Sequence, residues 1–219
     1  MMRKQNSIGK SVLVSEELLL GEPKGLLGPV FFPGFEGNLL YFDLIGRWRE
    51  LDLFVSVRNP ATLLPSAYGQ ALRRQQVAPG FDRIRRLART RPPSWYDLIL
   101  RIRRVVPSAR LHVWKYEDYA ANQWKILSEM AGVELRPREP LPPPPETISP
   151  TKQAIRRLEK LDPISPKDVL KVSNRIVAES AGGIKFEPFS EEEVRLLGEK
   201  YDEDVERLKC CFGERFMGF

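Results

Sequence analysis

An α/β fold, a mostly parallel sheet with crossover helices, is what this sequence predicts. Three observations carry the prediction. Leu51 to Val57 and Arg110 to Tyr116 are short runs rich in β-branched and aromatic residues. The residues between them include segments of helical periodicity. A helix start, Asn59-Pro60, follows directly on the first run. Strands that alternate with helices at this spacing pair in parallel through crossover helices.

Each element has its own local reason. Val12-Leu13-Val14 reads as a short apolar strand running into Ser15-Glu16-Glu17, and the Gly- and Pro-rich stretch Gly21 to Gly37 as a loop. Asn38 to Trp48 carries Leu40, Leu44, Ile45 and Trp48 at helical spacing. After the strand Leu51 to Val57, Asn59 is a good N-cap and Pro60 a good first helical residue, so a helix runs to about Gln76, with a kink expected at Pro65. Ala78 to Pro93 is a polar connection dense in arginine. Ser94 caps a helix whose Trp95, Leu98, Ile99, Ile102 and Val106 share one face, away from Arg101 and Arg104. After the strand Arg110 to Tyr116, a helix covers Asn122 to Ala131 and ends on Gly132.

Composition shifts at Pro137 to Pro150, where Pro142-Pro143-Pro144-Pro145 requires extended polyproline. This divides the chain into an α/β core over 1–136, a Pro-rich linker over 137–150, and a helical region over 151–219 packing on the same domain. That last region holds two helical stretches, Thr151 to Leu161 and Ser190 to Cys211. The second opens on a capping-box pattern, Ser190-Glu191-Glu192-Glu193.

The 219 residues carry a formal net charge of +6, with 42% hydrophobic and 29% charged residues, a balance that excludes wholesale disorder. No stretch reaches the roughly twenty apolar residues of a bilayer span. The basic excess favours an anionic partner. The only cysteines, Cys210 and Cys211, are adjacent, which excludes a disulfide scaffold and makes a reducing, cytoplasmic location the expectation. With them and the single histidine, His112, no metal-ligand set can be assembled, so no metal is expected. His112 sits mid-strand between Leu111 and Val113, a structural position.

The segment Phe54-Val55-Ser56-Val57-Arg58-Asn59-Pro60-Ala61-Thr62-Leu63-Leu64-Pro65-Ser66-Ala67-Tyr68 resembles the 3′-phosphate-binding segment of sulfotransferases that use 3′-phosphoadenosine 5′-phosphosulfate (PAPS). That family places an arginine at the end of a parallel strand and a serine eight residues later on the next helix; here these are Arg58 and Ser66. A guanidinium at a strand's carboxyl end can grip phosphate oxygens bidentately. Downstream, Leu111-His112-Val113-Trp114-Lys115-Tyr116-Glu117-Asp118-Tyr119 is similar to the family's strand ending in Tyr-Glu-Asp, and Phe186-Glu187-Pro188-Phe189-Ser190 leads into a helix like its closing one. The resemblance covers most of the chain from about Ser11, in the family's order.

The resemblance implies a three-layer α/β, sulfotransferase-like domain with a helical C-terminal tail, which transfers a sulfuryl group from PAPS to a hydroxyl or amine on a sugar, lipid or small metabolite. It places Arg58 and Ser66 on the nucleotide's 3′-phosphate and Tyr116 near its base. Glu16, or alternatively Glu17, stands where the family carries its catalytic base; a pair of solvated strand-end glutamates is the other reading. The family's preceding loop, which wraps the 5′-phosphosulfate, has no counterpart here. Gly9-Lys10-Ser11 has only the end of such a motif, with no room for a strand before it and a strand where a helix should follow. The expectation is therefore a truncated or degenerate member, or a non-catalytic basic module of the same fold that recognises an anionic ligand. The arginines Arg83, Arg85, Arg86, Arg89 and Arg91 form either a solvated helix face or a docking surface for an anionic acceptor. Nucleic acid as a partner rests on charge alone and ranks last.

Overall fold

The computed structural model describes residue 14 and residues 18–46, 51–75, 80–136 and 150–216. Two parallel strands, β1 (Asp52–Val57) and β2 (Arg110–Lys115), pair in register from Asp52 opposite Arg110 to Val57 opposite Lys115. Among the described residues the sheet holds these two strands, with a single parallel bridge from Val113 to Phe216 on the far side of β2. The fold is thus α/β with a small parallel sheet. The strand expected at Val12 to Val14 lies outside the described residues except for Val14, which is exposed and irregular. The polyproline run also lies outside them.

Eight α-helices are described: α1 (Phe35–Gly46), α2 (Pro60–Arg73), α3 (Phe81–Thr90), α4 (Trp95–Val105), α5 (Tyr119–Ala131), α6 (Lys152–Glu159), α7 (Pro166–Glu179) and α8 (Glu191–Phe212). Parallel strands need a long crossover, and α2, α3 and α4 supply it. Asn59 caps α2 through its side chain, which accepts from Ala61 N at 2.9 Å. The helix continues through Pro65, which forfeits one backbone hydrogen bond without ending it. Ser94 caps α4 by accepting from Asp97 N at 3.1 Å, and Gly132 closes α5 in the left-handed region at φ +65°. The capping box of α8 is complete between Ser190 and Glu193.

Three sequence expectations are corrected. The stretch 78–93 was expected to be a connection, yet it contains α3. Phe81, Ile84 and Ala88, three and four residues apart, bury one stripe of an otherwise polar helix, and that suffices. In the region after the proline run α7 was not expected, although Ser165-Pro166 and the buried Val169, Ser173, Ile176 and Val177 mark it. Among the described side chains of α1, Phe35 and Leu39 are buried, whereas Leu40 and Leu44 are exposed.

The main core joins Val57, Leu111 and Val113 of the sheet to Leu64, Ala67 and Tyr68 of α2, to Leu98, Ile99 and Ile102 of α4, and to Leu197, Tyr201, Val205 and Leu208 of α8. A second cluster, Ala154, Leu158, Ile176 and Val177, joins α6 to α7. The buried Asp204 ties α8 to α4 by accepting from Tyr96 N at 3.2 Å, in the first turn of α4. No helix among the described residues is long and apolar enough to cross a membrane.

Where α2 meets Pro150, the glycine at position 69 is required by space. A Cβ there would stand 2.6 Å from Pro150 Cγ and 3.2 Å from its Cδ. Alanine is intrinsically the better helix former by about 1 kcal/mol, but the contact with a stiff ring outweighs that. Gly69→Ala is expected to lower stability by about 1–2 kcal/mol, read as a lower urea midpoint with an unchanged slope.

At the amino ends of the strands, Asp52 accepts from Arg110 Nε at 2.8 Å and Nη2 at 2.7 Å, and lies 2.7 Å from His112 Nε2. The Arg110 hydrogen bonds, with smaller help from His112 and against the cost of burial, hold its carboxyl down at about 2. His112 stacks on Phe54 with ring centroids 4.4 Å apart, a structural placement. A depressed folded-state pKa adds stability that is present above the unfolded value of about 3.9 and is lost as pH falls toward 2. With a third of the side chain exposed, solvent screening leaves about 1 kcal/mol. Asp52→Asn is expected to flatten the fall in stability between about pH 4 and pH 2, measured by denaturant unfolding across that range.

Candidate anion site at the carboxyl ends of the strands

Arg58 follows directly on β1 and Tyr116 directly on β2, so parallel pairing brings both to one end of the sheet. Ligands of open α/β sheets bind at this end. The Arg58 guanidinium carbon lies over the Tyr116 ring, 4.6 Å from its centroid, and Nε donates to Thr62 Oγ1 at 3.2 Å. Thr62 in turn donates to the Asn59 carbonyl at 3.1 Å. Among the described residues the two terminal guanidinium nitrogens have no partner. The side chain is therefore oriented by its inner nitrogen and by a ring face, with its fork left over. That fork is the part of arginine that matches a phosphate.

The backbone behind Arg58 is held from three directions. The Tyr201 hydroxyl of α8 lies 3.2 Å from the Val57 carbonyl, Trp95 Nε1 of α4 donates to the Arg58 carbonyl at 2.7 Å, and Asn59 N donates to Glu117 Oε1 at 2.9 Å. Tyr201 also donates to Glu117 Oε2 at 2.9 Å. Burial first, and then the Glu117 carboxylate, push the Tyr201 hydroxyl well above the ordinary phenol range, so it remains a donor. One carboxylate thus fastens the end of β2 to the start of α2 and to α8. The Lys115 ammonium stands 5.9 Å from the Tyr201 ring centroid and adds a second positive charge at this end.

Of the residues singled out in the sequence, the structure brings Arg58 and Tyr116 into contact. Ser66 lies on α2, partly buried, one turn beyond Thr62 on the same stripe, since residues four apart are neighbours on a helix. Arg58 touches that stripe at Thr62. Glu16 and Glu17 lie outside the described residues.

Thr62, Trp95, Glu117 and Tyr201 were not singled out. Thr62 was within reach, because it divides the Arg58–Ser66 spacing in half. Trp95 and Tyr201 lie 37 and 144 residues from their hydrogen-bond partners, and no local pattern signals such contacts. No protein-family model matches this chain, and no curated protein and no solved structure matches it either.

Proposed function

We propose that this chain is a sulfotransferase-like protein that holds the adenosine 3′,5′-bisphosphate portion of PAPS at the carboxyl ends of β1 and β2. The Arg58 guanidinium carries the reading: it follows a parallel strand, is oriented by Thr62 and Tyr116, and its terminal nitrogens have no partner among the described residues. The donor set fits a phosphate. Arg58 supplies a bidentate fork, Ser66 a hydroxyl one turn past Thr62, and the start of α2 the positive end of a helix dipole. Tyr116, half exposed, offers an aromatic edge to the base.

PAPS supplies an activated sulfuryl group. The chain's part is to position it for an in-line displacement by a hydroxyl or amine of a sugar, lipid or small metabolite. Glu16, or Glu17, accepts the acceptor's proton as the new bond to sulfur forms and the bond to the nucleotide phosphate breaks. The three-layer sheet of sulfotransferases belongs to this proposal too. The resemblance of the segment Phe54 to Tyr68, in its order with the later segments, supports it.

Calorimetric titration with adenosine 3′,5′-bisphosphate and, separately, with adenosine tests the reading. Saturable binding of the bisphosphate, at least tenfold tighter than adenosine, is expected. Equal affinities, or no binding of the bisphosphate, would overturn it.

A further inference from the structure

A second basic surface lies on α3, apart from the strand ends. Between residues 80 and 110 every cationic side chain is an arginine, and none is a lysine. Three of them are held in ion pairs. Arg85 pairs with Glu193 and with Asp82 Oδ1 at 3.4 Å and donates to the Pro188 carbonyl, Arg101 pairs with Glu36, and Arg110 with Asp52. Arg83, Arg86 and Arg89 are different. They are exposed and have no ion-pair partner among the described residues.

Arg83 and Arg86 line a depression of about 530 Å³ with Gly80, Phe81, Asp82 and Glu159. Its floor is built by packing. Phe81 sits edge-on to Tyr68 at 5.4 Å and to Phe186 at 5.3 Å, and the Tyr68 hydroxyl donates to Glu159 Oε1 at 2.6 Å. That bond occupies Oε1 of Glu159, a residue of the lining. Tyr68 lies about 12 Å along α2 from Pro60, at 1.5 Å per residue, so this place is separate from Arg58.

The lining is of mixed sign, and this selects the ligand. Planar guanidinium forks suit carboxylate or sulfate oxygens. The carboxylates of Asp82 and Glu159 repel a continuous line of phosphates but accept hydrogen bonds from hydroxyl groups. The rings here are packed into the aromatic cluster, and single-stranded nucleic acid needs exposed rings on which bases stack. We propose that the α3 depression binds an acidic carbohydrate, a sugar unit carrying a carboxylate or sulfate beside free hydroxyls. Arg83 and Arg86 take the acid group, and Asp82 and Glu159 take the hydroxyls. The inference uses neither Arg58 nor a nucleotide.

The test titrates the full chain with an oligomer of galacturonic acid, a neutral galactose oligomer of the same length, and a short DNA duplex. Binding of the uronate oligomer is expected, with little binding of the neutral one. The double variant Arg83→Ser/Arg86→Ser should weaken it tenfold or more at an unchanged melting temperature, while Arg103→Ser/Arg104→Ser on α4 leaves it unchanged. Asp82→Ala should also weaken it, by about threefold; a bare cationic patch would instead bind more tightly once that negative charge is gone. The proposal falls if the uronate does not bind, if the α3 double variant binds as wild type does, if Asp82→Ala tightens binding, or if the duplex binds more tightly than the uronate.

Discussion

Arg58→Ala is expected to weaken binding of adenosine 3′,5′-bisphosphate about a hundredfold while leaving the folded protein nearly as stable. Hydrogen bonds from a charged donor contribute about 1.5–3 kcal/mol each, and a fork places two on one phosphate. Losing both costs about 3 kcal/mol or more, against 1.4 kcal/mol per tenfold in affinity. The fold depends little on this side chain. Its contacts are an exposed hydrogen bond to Thr62 and the face of a half-exposed Tyr116, together about 1 kcal/mol. The Trp95 bond goes to the Arg58 backbone carbonyl and survives the substitution. Arg58→Lys separates charge from shape: it keeps the charge but not the fork, and an intermediate loss of about tenfold is expected. Calorimetry on the three proteins, with melting temperatures alongside, measures both effects. If Arg58→Ala bound the bisphosphate as tightly as wild type, the assignment of the strand end as the anion site would be wrong.

Glu117→Ala should do the opposite, costing stability first and affinity as a consequence. The carboxylate accepts from Asn59 N and from the Tyr201 hydroxyl, and Tyr201 is buried. Removing it takes the acceptor from the Asn59 N–H and leaves the Tyr201 hydroxyl only the Val57 carbonyl, at a junction of β1, β2 and α8. Deleting the shared acceptor of these two bonds, one part-buried and one exposed, costs about 2 kcal/mol. For a domain of this size about 2 kcal/mol corresponds to a fall of about 4–8 °C in melting temperature. Bisphosphate affinity should fall about tenfold, because the turn carrying Arg58 loses one of its three anchors. Glu117→Gln keeps an acceptor for the Asn59 N–H and should recover most of both losses. Equal melting temperatures for wild type and Glu117→Ala would show that the junction is held by the apolar packing of α8 alone.

The candidate anion site was partly legible in the sequence. Arg58 and Ser66 stand on a strand and the following helix, and their spacing is a local property that periodicity and a single Asn-Pro start disclose. Tyr116 was legible in the same way, as the residue after a strand. Glu117 was in view as part of Tyr-Glu-Asp, but its role was not, because a carboxylate's function depends on which donors the fold brings to it. The expected base, Glu16 or Glu17, rests on resemblance alone.

Local pattern by itself determined the two strands, the N-caps at Asn59, Ser94 and Ser190, the glycine end of α5 and the α/β class. These follow from backbone geometry and from hydrogen bonds between near neighbours, so a window of a few residues contains their cause. Only tertiary structure decided which face of α1 is buried, that α3 is a helix, and that Tyr201, Trp95 and Glu117 meet around one turn. Those outcomes depend on burial against residues far along the chain, where a marginal local preference is decided by the surface it covers.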